Sequence, residues 1–420
     1  LEARRTALII TTTVILAGIL LAGLTVINYR YALNSQGVND FLPRWMGTRL
    51  FIMRGQSPYS QETTEQIQRQ IYGRPASPSE DQALFMAPFY AVLVYAPIAL
   101  IKDYPTAMAV FMTVLEVSLF LMMGIGLVLS RWRPPNWLLA VLVVFLGFWY
   151  YSVHPVLNAS AALLAGVYIA GGLWALRSDH DVLCGFLIAL ASFRPQMVAL
   201  LAPLLLFWAV SNRRWLLFWS FFSTLFVFLF ISFLFQSDWW LGYLRQIWVT
   251  SATMEPSTPG QIFARWFPGV GKQLGWALSA LMTGILLLEW YQVRLRDTRW
   301  LLWTAWLTLA ITPLIGVPSS VDDFVALFPG IVLVLSVWHD RWNKTGLALI
   351  ITSLVLLFFG VWGLFYLTFP VSPLSVAQYV LFFPLPVFMV IGLYWTRWWA
   401  VRPPPPLMDQ LRSSTQGGVL

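Results

Sequence analysis

"GFLIALASFRPQMVALLAPLLLFWAVSNRRW", residues 185–215, is membrane-like almost from end to end and is broken once, at Arg194-Pro195. A bilayer crossing takes about 20 mostly apolar residues. Pro195 removes a backbone donor and prevents a helix from running on undisturbed. A guanidinium inside an apolar run is costly and usually lines a pathway or binds something. The stretch is therefore either one crossing with an embedded charge or two half-crossings that meet at "FRPQ" (193–196).

Outward from this run the composition stays the same. Of 420 residues, 59% are hydrophobic and 10% charged, with a mean hydropathy of +0.71; a soluble domain carries roughly 45–50% apolar and about 25% charged residues. An all-α polytopic membrane protein is expected, with apolar segments near 6–27, 85–101, 106–130, 136–151, 157–177, 182–209, 214–235, 273–293, 299–317, 323–338, 345–366 and 376–396. The first run has no convincing small-x-small cleavage pattern after it and is kept as a span. Twenty-three tryptophans suit a chain with many membrane–water interfaces. The net charge of +8 is spread in short clusters between apolar runs, as topology signals are, and no basic stripe points to nucleic acid. Cys184, the single cysteine, excludes an intrachain disulfide and reads as a small buried apolar residue.

Arg4-Arg5, Arg131/Arg133, Arg177, Arg213-Arg214, Arg294/Arg296/Arg299, Arg341/Lys344 and Arg397/Arg402 mark cytoplasmic ends by the positive-inside rule, which puts the N-terminus in the cytoplasm and residue 37 outside. Twelve uninterrupted crossings would force Arg131/Arg133 and Arg177 outward. Two half-crossings, 85–101 and the broken 182–209, satisfy every cluster, and this is the topology expected. It gathers "HPVLN" (154–158), "FRPQ", "VPSSVDD" (317–323) and the long polar stretches 28–84 and 236–272 on the outer side. Nonhelical backbone at membrane depth needs burial in protein or a wet cavity, so a cavity open to the outer leaflet is expected. One domain covers 1–400, and 401–420 is a proline-led cytoplasmic tail.

Asp40 follows the first span directly. After it come Leu42, Met46, Leu50 and Met53, on one face of an expected interfacial amphipathic helix. Asn39 or Asp40 is a natural N-cap for that helix, and a carboxylate there is also placed to take a proton from a hydroxyl. Arg194 suits a phosphate, bound bidentately, or a structural ion pair with a carboxylate on another span, for which Glu116 is one possible partner. His154 and Asn158 form an uncharged donor–acceptor pair. Asp322-Asp323 follow "VPSS" where an N-cap also belongs. Three histidines, none at i, i+4, do not make a transition-metal site; Asp40, Glu255 and Asp322 or Asp323 offer oxygen ligands for a hard ion, though no spacing demands one. Glycine-rich phosphate loops and Ser-His-Asp arrangements are absent.

Read in order, "DFLPRW" (40–45), "GQSPYS" (55–60), "FMAPFYAVLVYAPIALI" (85–101), "HPVLNASAALLAG" (154–166), the 185–215 run, "EPSTPGQIFARWF" (255–267) and "VPSSVDDFVALFPGIVLVL" (317–335) resemble the polyprenyl-phosphate-dependent glycosyltransferases of family 87. That family has the GT-C membrane fold and includes phosphatidylinositol-mannoside mannosyltransferases. The resemblance runs from residue 6 to 400 and implies a bundle of about 10–12 transmembrane or re-entrant helices with an interfacial helix in the first outer loop. It places the family's acid on Asp40 as general base and its Gly-x-x-Pro-Tyr turn on Gly55, Pro58 and Tyr59. Its Lys-Pro-Gln falls on Arg194, Pro195 and Gln196, its late His-Asp pair on Asp322-Asp323, its asparagine on Asn158 and its second-loop arginine on Arg265. Arg194 and Arg265 are then the groups for the lipid phosphate. The chain departs from the pattern at Arg44, where the family usually has tyrosine, at Ala87-Pro88-Phe89 for Tyr-Pro-Pro, at His154-Pro155 for Gly-Gln, and at Asp322 for histidine.

The implied activity is inverting transfer of a sugar, mannose favoured, from a polyprenyl-phosphate donor to a lipid-linked, glycolipid or envelope acceptor on the outer face of a bacterial plasma membrane. Such a donor needs no cofactor and no nucleotide site; the partners are the two lipids and the surrounding membrane. Two other classes stand beside it: a transporter of an anionic substrate, for which a broken helix is the usual device, and a noncatalytic subunit of a membrane complex.

Overall fold

The computed structural model describes residues 2–402 apart from 36, 38, 78–79, 254–257 and 369–378. Glu255 and nearly all of the tail lie outside the described residues. The chain is 80% helix, without strands among the described residues, and is a multi-pass membrane protein. α1 (Glu2–Asn34) is followed by α2 (Phe41–Arg54), α3 (Gln61–Tyr72), the short α4 (Ala91–Ala99) and α5 (Tyr104–Ser130). α6 (Asn136–Phe148) and α7 (Tyr150–Leu157) form a pair bent by 43°, and α8 (Ala162–Arg177) comes next. The interrupted run is α9 (Asp181–Ala191), α10 (Pro195–Val198) and α11 (Leu201–Ser211). Then come α12 (Trp215–Phe235), α13 (Trp239–Thr253), α14 (Pro259–Trp266), α15 (Gly271–Val293) and α16 (Thr298–Ile315). A 3-10 turn, Val321–Leu327, leads into α17 (Phe328–Val355), and α18 (Val361–Thr368), α19 (Pro384–Trp395) and α20 (Arg397–Val401) follow.

Among the described residues six segments are long and apolar enough to cross a membrane, and the bent α6–α7 pair, taken as one span, makes a seventh. They differ in what they face. The apolar stretch of Val321–Trp342 is entirely buried, whereas that of Thr11–Asn34 is 6% buried, so the former is a core rod and α1 lies against lipid. Helical hydrogen bonding continues through α17, yet the chain reverses inside it: a Cβ on Gly346 would collide with Trp338 O, two atoms that a straight helix would keep about 12 Å apart.

Three contacts decide the half-crossings. Arg214 pairs with Asp179 at 3.0 Å and with Asp181 at 2.6 Å, so α9 starts and α11 ends at the same face, with Arg194 at the apex between them. Arg49 Nη1 donates to Ala99 O at 2.7 Å, which returns α4 to the α2 side. Nine residues of α4 rise only about 14 Å, half the hydrocarbon core. The chain breaks twice here: α7, with Pro155 inside it, ends at Leu157 within the break expected at 154–158, and a further bend falls at Trp149, where Trp149 N still bonds Phe145 O at 2.8 Å. Helix α1 runs to Asn34, so the first polar excursion begins later than residue 28.

The two ends of the bundle differ in charge. Arg131, Arg177, Arg214, Arg294, Arg296, Arg299, Arg341 and Arg397 gather at one end through contacts such as Trp208 Nε1 to Arg296 O, 2.9 Å, Arg299 over the Trp399 ring, 4.0 Å, and Arg397 to Glu289, 3.0 Å. Asp40, Asn158, Arg194 and Asp322-Asp323 gather at the other. Helices approach closely where side chains are small, as lipid-phase packing requires: a Cβ on Gly185 would lie 2.6 Å from Leu217 O and 2.7 Å from Phe221 N across the α9–α12 contact.

Candidate functional site

The cap of α2 frees Asp40 for other work. Asn39 Oδ1 accepts from Phe41 N at 3.1 Å and from Leu42 N at 2.9 Å, whereas the Asp40 carboxylate makes no cap bond. The face that α2 buries is Phe41, Leu42, Trp45, Thr48 and Leu50; Met53, expected on that face, is 53% exposed. The reason is the second apolar side: Phe41 stacks on Phe111 of α5 at 4.8 Å, turning the helix so that its far end points outward.

Asp40 is the first member of a network drawn from four separate segments. Arg194 Nη1 donates to Asp40 Oδ2 at 2.8 Å and to Ser160 Oγ at 2.9 Å, while Arg194 Nη2 lies 3.0 Å from Asp323 Oδ1. That last contact lacks hydrogen-bond geometry, since Asp323 Oδ1 and Arg194 Nε are both buried without a directed partner; it is an electrostatic contact. Ser160 Oγ donates to Asp40 Oδ2 at 3.0 Å. Arg44 Nη1, one turn along α2, donates to Asp40 Oδ1 at 2.5 Å and also to Asp40 O. Asp322 closes the other side: His154 Nδ1 donates to its Oδ1 at 2.6 Å and Asn158 Nδ2 to its Oδ2 at 2.7 Å. Asn158 also anchors the backbone, since Asp40 N donates to Asn158 Oδ1 at 3.1 Å. The two late acids thus divide their roles, with Asp323 Oδ2 also accepting from Ser320 N at 2.9 Å in a capping box.

Local backbone makes this convergence possible. Between Asn158 and Ser160 stands Ala159 at φ 46°, in the left-handed region that costs a residue with a Cβ roughly 1–2 kcal/mol. This twist lets one short turn serve two acids, with Asn158 Nδ2 on Asp322 and the Ser160 hydroxyl on Asp40. Such strain is held only where the surroundings over-determine it, and Ala159 is 1% exposed.

The electrostatics are nearly balanced: three carboxylates meet two guanidinium groups and an imidazole. Burial alone would push the Asp40 carboxyl up; the charges of Arg44 and Arg194, with hydrogen bonds from Arg194 and Ser160, outweigh it and hold the group down at about 2. The side chains of Asp40 and Arg44 are 19% and 14% exposed, against 9% for Arg194 and 6% for Asp323. Asp40 Oδ1 with Arg44 is therefore the open edge and Arg194 the floor. Glu116 does not pair with Arg194; it accepts from Asn28 Nδ2 at 3.1 Å on the α1–α5 seam. Arg194 also fills the position between Asp40 and Asp323, where a hard ion held by these oxygens would have to sit.

Asp40 and Arg194 meet in contact and not across an open vestibule. Two spaces lie near the network, and neither Asp40 nor Arg194 lines them. One is a recess of about 20 Å³ lined by Gln196, Thr312, Pro313, Ser319 and Asp323, room for a single water; Gln196 Nε2 lies 3.4 Å from Asp323 Oδ2 there. The other is an apolar groove of about 400 Å³ lined by Tyr90, Leu93, Phe111, Tyr168, Phe193 and Phe228. Leu93 is 46% exposed, so the groove opens sideways. Its inner end reaches the break through Tyr90, whose hydroxyl donates to Ser192 O at 2.9 Å, and Phe193 precedes Arg194.

Two expected site residues are placed elsewhere. Tyr59 donates its hydroxyl to Ala87 O at 2.7 Å and stands edge-on to Phe85, pinning the first loop to the segment before α4. Arg265 is on α14, 4.3 Å over the Tyr379 ring. Sequence reasoning missed Ser160, whose only signal is a hydroxyl two residues beyond Asn158, and Tyr95, which is 1% exposed and within electrostatic reach of Arg44, Asp40 and Arg194.

The chain matches no family model, no curated protein and no solved structure. The site therefore has to be read from its own geometry.

Proposed function

We propose that the chain is a membrane glycosyltransferase that takes a sugar from a polyprenyl-phosphate donor, with Asp40 as general base. The observation that carries this reading is the exposed edge of the network: an ionised carboxylate held by Arg44 at the mouth and by Arg194 beneath, in a bundle whose laterally open apolar groove ends at Tyr90 and Phe193, next to the break that carries Arg194. Burying such a network costs more than an apolar replacement of the same shape, so its presence in a 59% hydrophobic chain is better explained by use than by stability.

The chemistry assigns each group a task. A donor has an apolar tail for the groove and a phosphate for Arg44, whose guanidinium leaves Asp40 Oδ1 as it takes the anion. The freed oxygen accepts the proton of an acceptor hydroxyl while that oxygen attacks the anomeric carbon. The bond from that carbon to the phosphate oxygen breaks, and the lipid phosphate carries the electron pair away on Arg44. Arg194 stays in place, keeping Asp40 ionised and oriented, and the His154–Asp322–Asn158 arm fixes the backbone of Asp40. Mannose is the favoured sugar and the outer leaflet of a bacterial plasma membrane the favoured setting, both by the sequence resemblance.

A second reading is favoured by one feature: both Asp40 oxygens are already ion-paired, as in a purely structural staple of a noncatalytic subunit. Transfer of radiolabelled sugar from polyprenyl-phosphate mannose in proteoliposomes separates them. The enzymatic reading expects labelled product from the unaltered chain and at least a 10²-fold loss in Asp40→Asn with folding retained. Equal turnover by Asp40→Asn, or no product from any polyprenyl-phosphate sugar, supports the staple.

A further inference from the structure

At the end of the bundle away from Asp40, three arginines from three helices converge. Arg131 caps α5 in the left-handed region at φ 53°, Arg177 is the last residue of α8, and Arg299 lies in the first turn of α16. Arg131 and Arg299 are both near enough to Arg177 to repel its charge. Among the described residues none of the three forms an ion pair with a carboxylate. The acids at this end are otherwise engaged. Asp179 and Asp181 hold Arg214 at 3.0 and 2.6 Å, and Glu289 holds Arg397 at 3.0 Å. Asp340 lies 3.9 Å from His339. Asp297 accepts from Trp300 N at 3.3 Å and reaches Arg299 only through space.

Two of the three arginines carry buried donors with nothing to donate to. Arg177 Nη1 and Arg299 Nε are buried and without a hydrogen-bond partner. So are the indole Nε1 atoms of Trp132 and Trp300, the neighbours of Arg131 and Arg299 in the chain. An unsatisfied buried donor costs about 1–3 kcal/mol, more when charged, and like charges add to that. The missing component is an anion offering several acceptor oxygens. The location narrows its source: Arg299 is stacked on Trp399 at 4.0 Å, an aromatic at the end of a lipid-spanning bundle, and basic hollows between membrane helices at this level take phospholipid headgroups.

We infer that Arg131, Arg177 and Arg299 form a binding site for the phosphodiester headgroup of an anionic phospholipid. Its two ester-free oxygens match the forked guanidinium donors. The site does not depend on the function assigned to Asp40.

Native mass spectrometry of the full chain, released from micelles containing equal phosphatidylglycerol and phosphatidylcholine, tests it. The unaltered chain is expected to retain phosphatidylglycerol preferentially. Arg177→Gln and Arg299→Gln should each lower that retention by about fivefold, near 1 kcal/mol per basic residue, with phosphatidylcholine unaffected. Arg133→Gln, outside the triad, should change nothing, and millimolar inorganic phosphate should not displace the lipid. Equal retention of both lipids, or unaltered retention in both arginine variants, overturns the inference; displacement by inorganic phosphate overturns it too, by making the site one for a soluble anion. If the buried variants expose Cys184 to a maleimide, Arg131→Gln at the exposed end of α5 gives the same reading without disturbing the core.

Discussion

Replacing Arg194 by glutamine removes the one cation shared by Asp40 and Asp323. Its contacts, 2.8 Å to Asp40 Oδ2 and 3.0 Å to Asp323 Oδ1, would be lost together, leaving Asp323 at 7% exposure facing Asp322 in the chain with no cation of its own. Breaking a buried pair from one side costs about 3–5 kcal/mol, a large share of the 5–15 kcal/mol typical of a folded domain. Cys184 supplies the readout. It is the only cysteine, is 0% exposed, and lies on α9, whose far end carries the break at Arg194. Its labelling by a fluorogenic maleimide reports how often that region opens, and the loss should raise the labelling rate about 10²- to 10⁴-fold. Arg194→Gln combined with Asp323→Asn restores the charge balance and should recover about 1–3 kcal/mol of coupling. Labelling of Arg194→Gln within twofold of the unaltered chain, or strictly additive effects in the pair, would refute the view that Arg194 is the electrostatic centre of the network.

The Asp40 carboxyl, held at about 2 against an ordinary 3.8, stabilises the fold by about 2 kcal/mol at neutral pH. Since the folded value is the lower one, that term is complete above 3.8 and disappears as the pH falls toward 2; the thermal midpoints of the unaltered chain and Asp40→Asn should converge over that window, and a constant difference down to pH 2 would count against it. Ser160→Ala removes a donor to Asp40 and an acceptor for Arg194, and should cost about 1–3 kcal/mol, read by Cys184 labelling; no change would detach Ser160 from the network. Gly185→Ala forces a methyl group to within 2.6 Å of Leu217 O, so it should loosen the α9–α12 contact by about 1–3 kcal/mol, and an unchanged midpoint in a thermal melt would mean that the helices are not in contact there.

The all-helical, multi-pass class was legible in the apolar runs because a membrane leaves few ways to satisfy a backbone. The re-entrant reading of 182–209 came from a charge and a proline in adjacent positions, features that act locally and so can be read locally. The position of the bend near 150 could not be seen in this way: Pro155 is the obvious breaker, yet the chain turns at Trp149, where burial of Trp149, Tyr150 and Tyr151 against α18 and neighbouring segments decides. Asp40, Arg194 and Asp322-Asp323 were legible as polar residues in costly places. Their pairing was not, since it depends on side chains more than a hundred positions apart, and one sequence carries no record of that distance. For the same reason Glu116 was offered to Arg194 when its partner is Asn28. The open space expected around the acids lies to one side of them: a guanidinium bridging two carboxylates occupies their meeting point, and the groove is lined by apolar side chains instead.

The most direct test of the account is an experimental structure of the chain with a polyprenyl-phosphate sugar bound. The account requires the phosphate on Arg44, the tail in the groove lined by Tyr90 and Phe193, and the Asp40 Oδ1 atom released from Arg44 with the anomeric carbon one hydroxyl-sized gap away. A lipid seated elsewhere, with Arg44 still closed over Asp40, would contradict it.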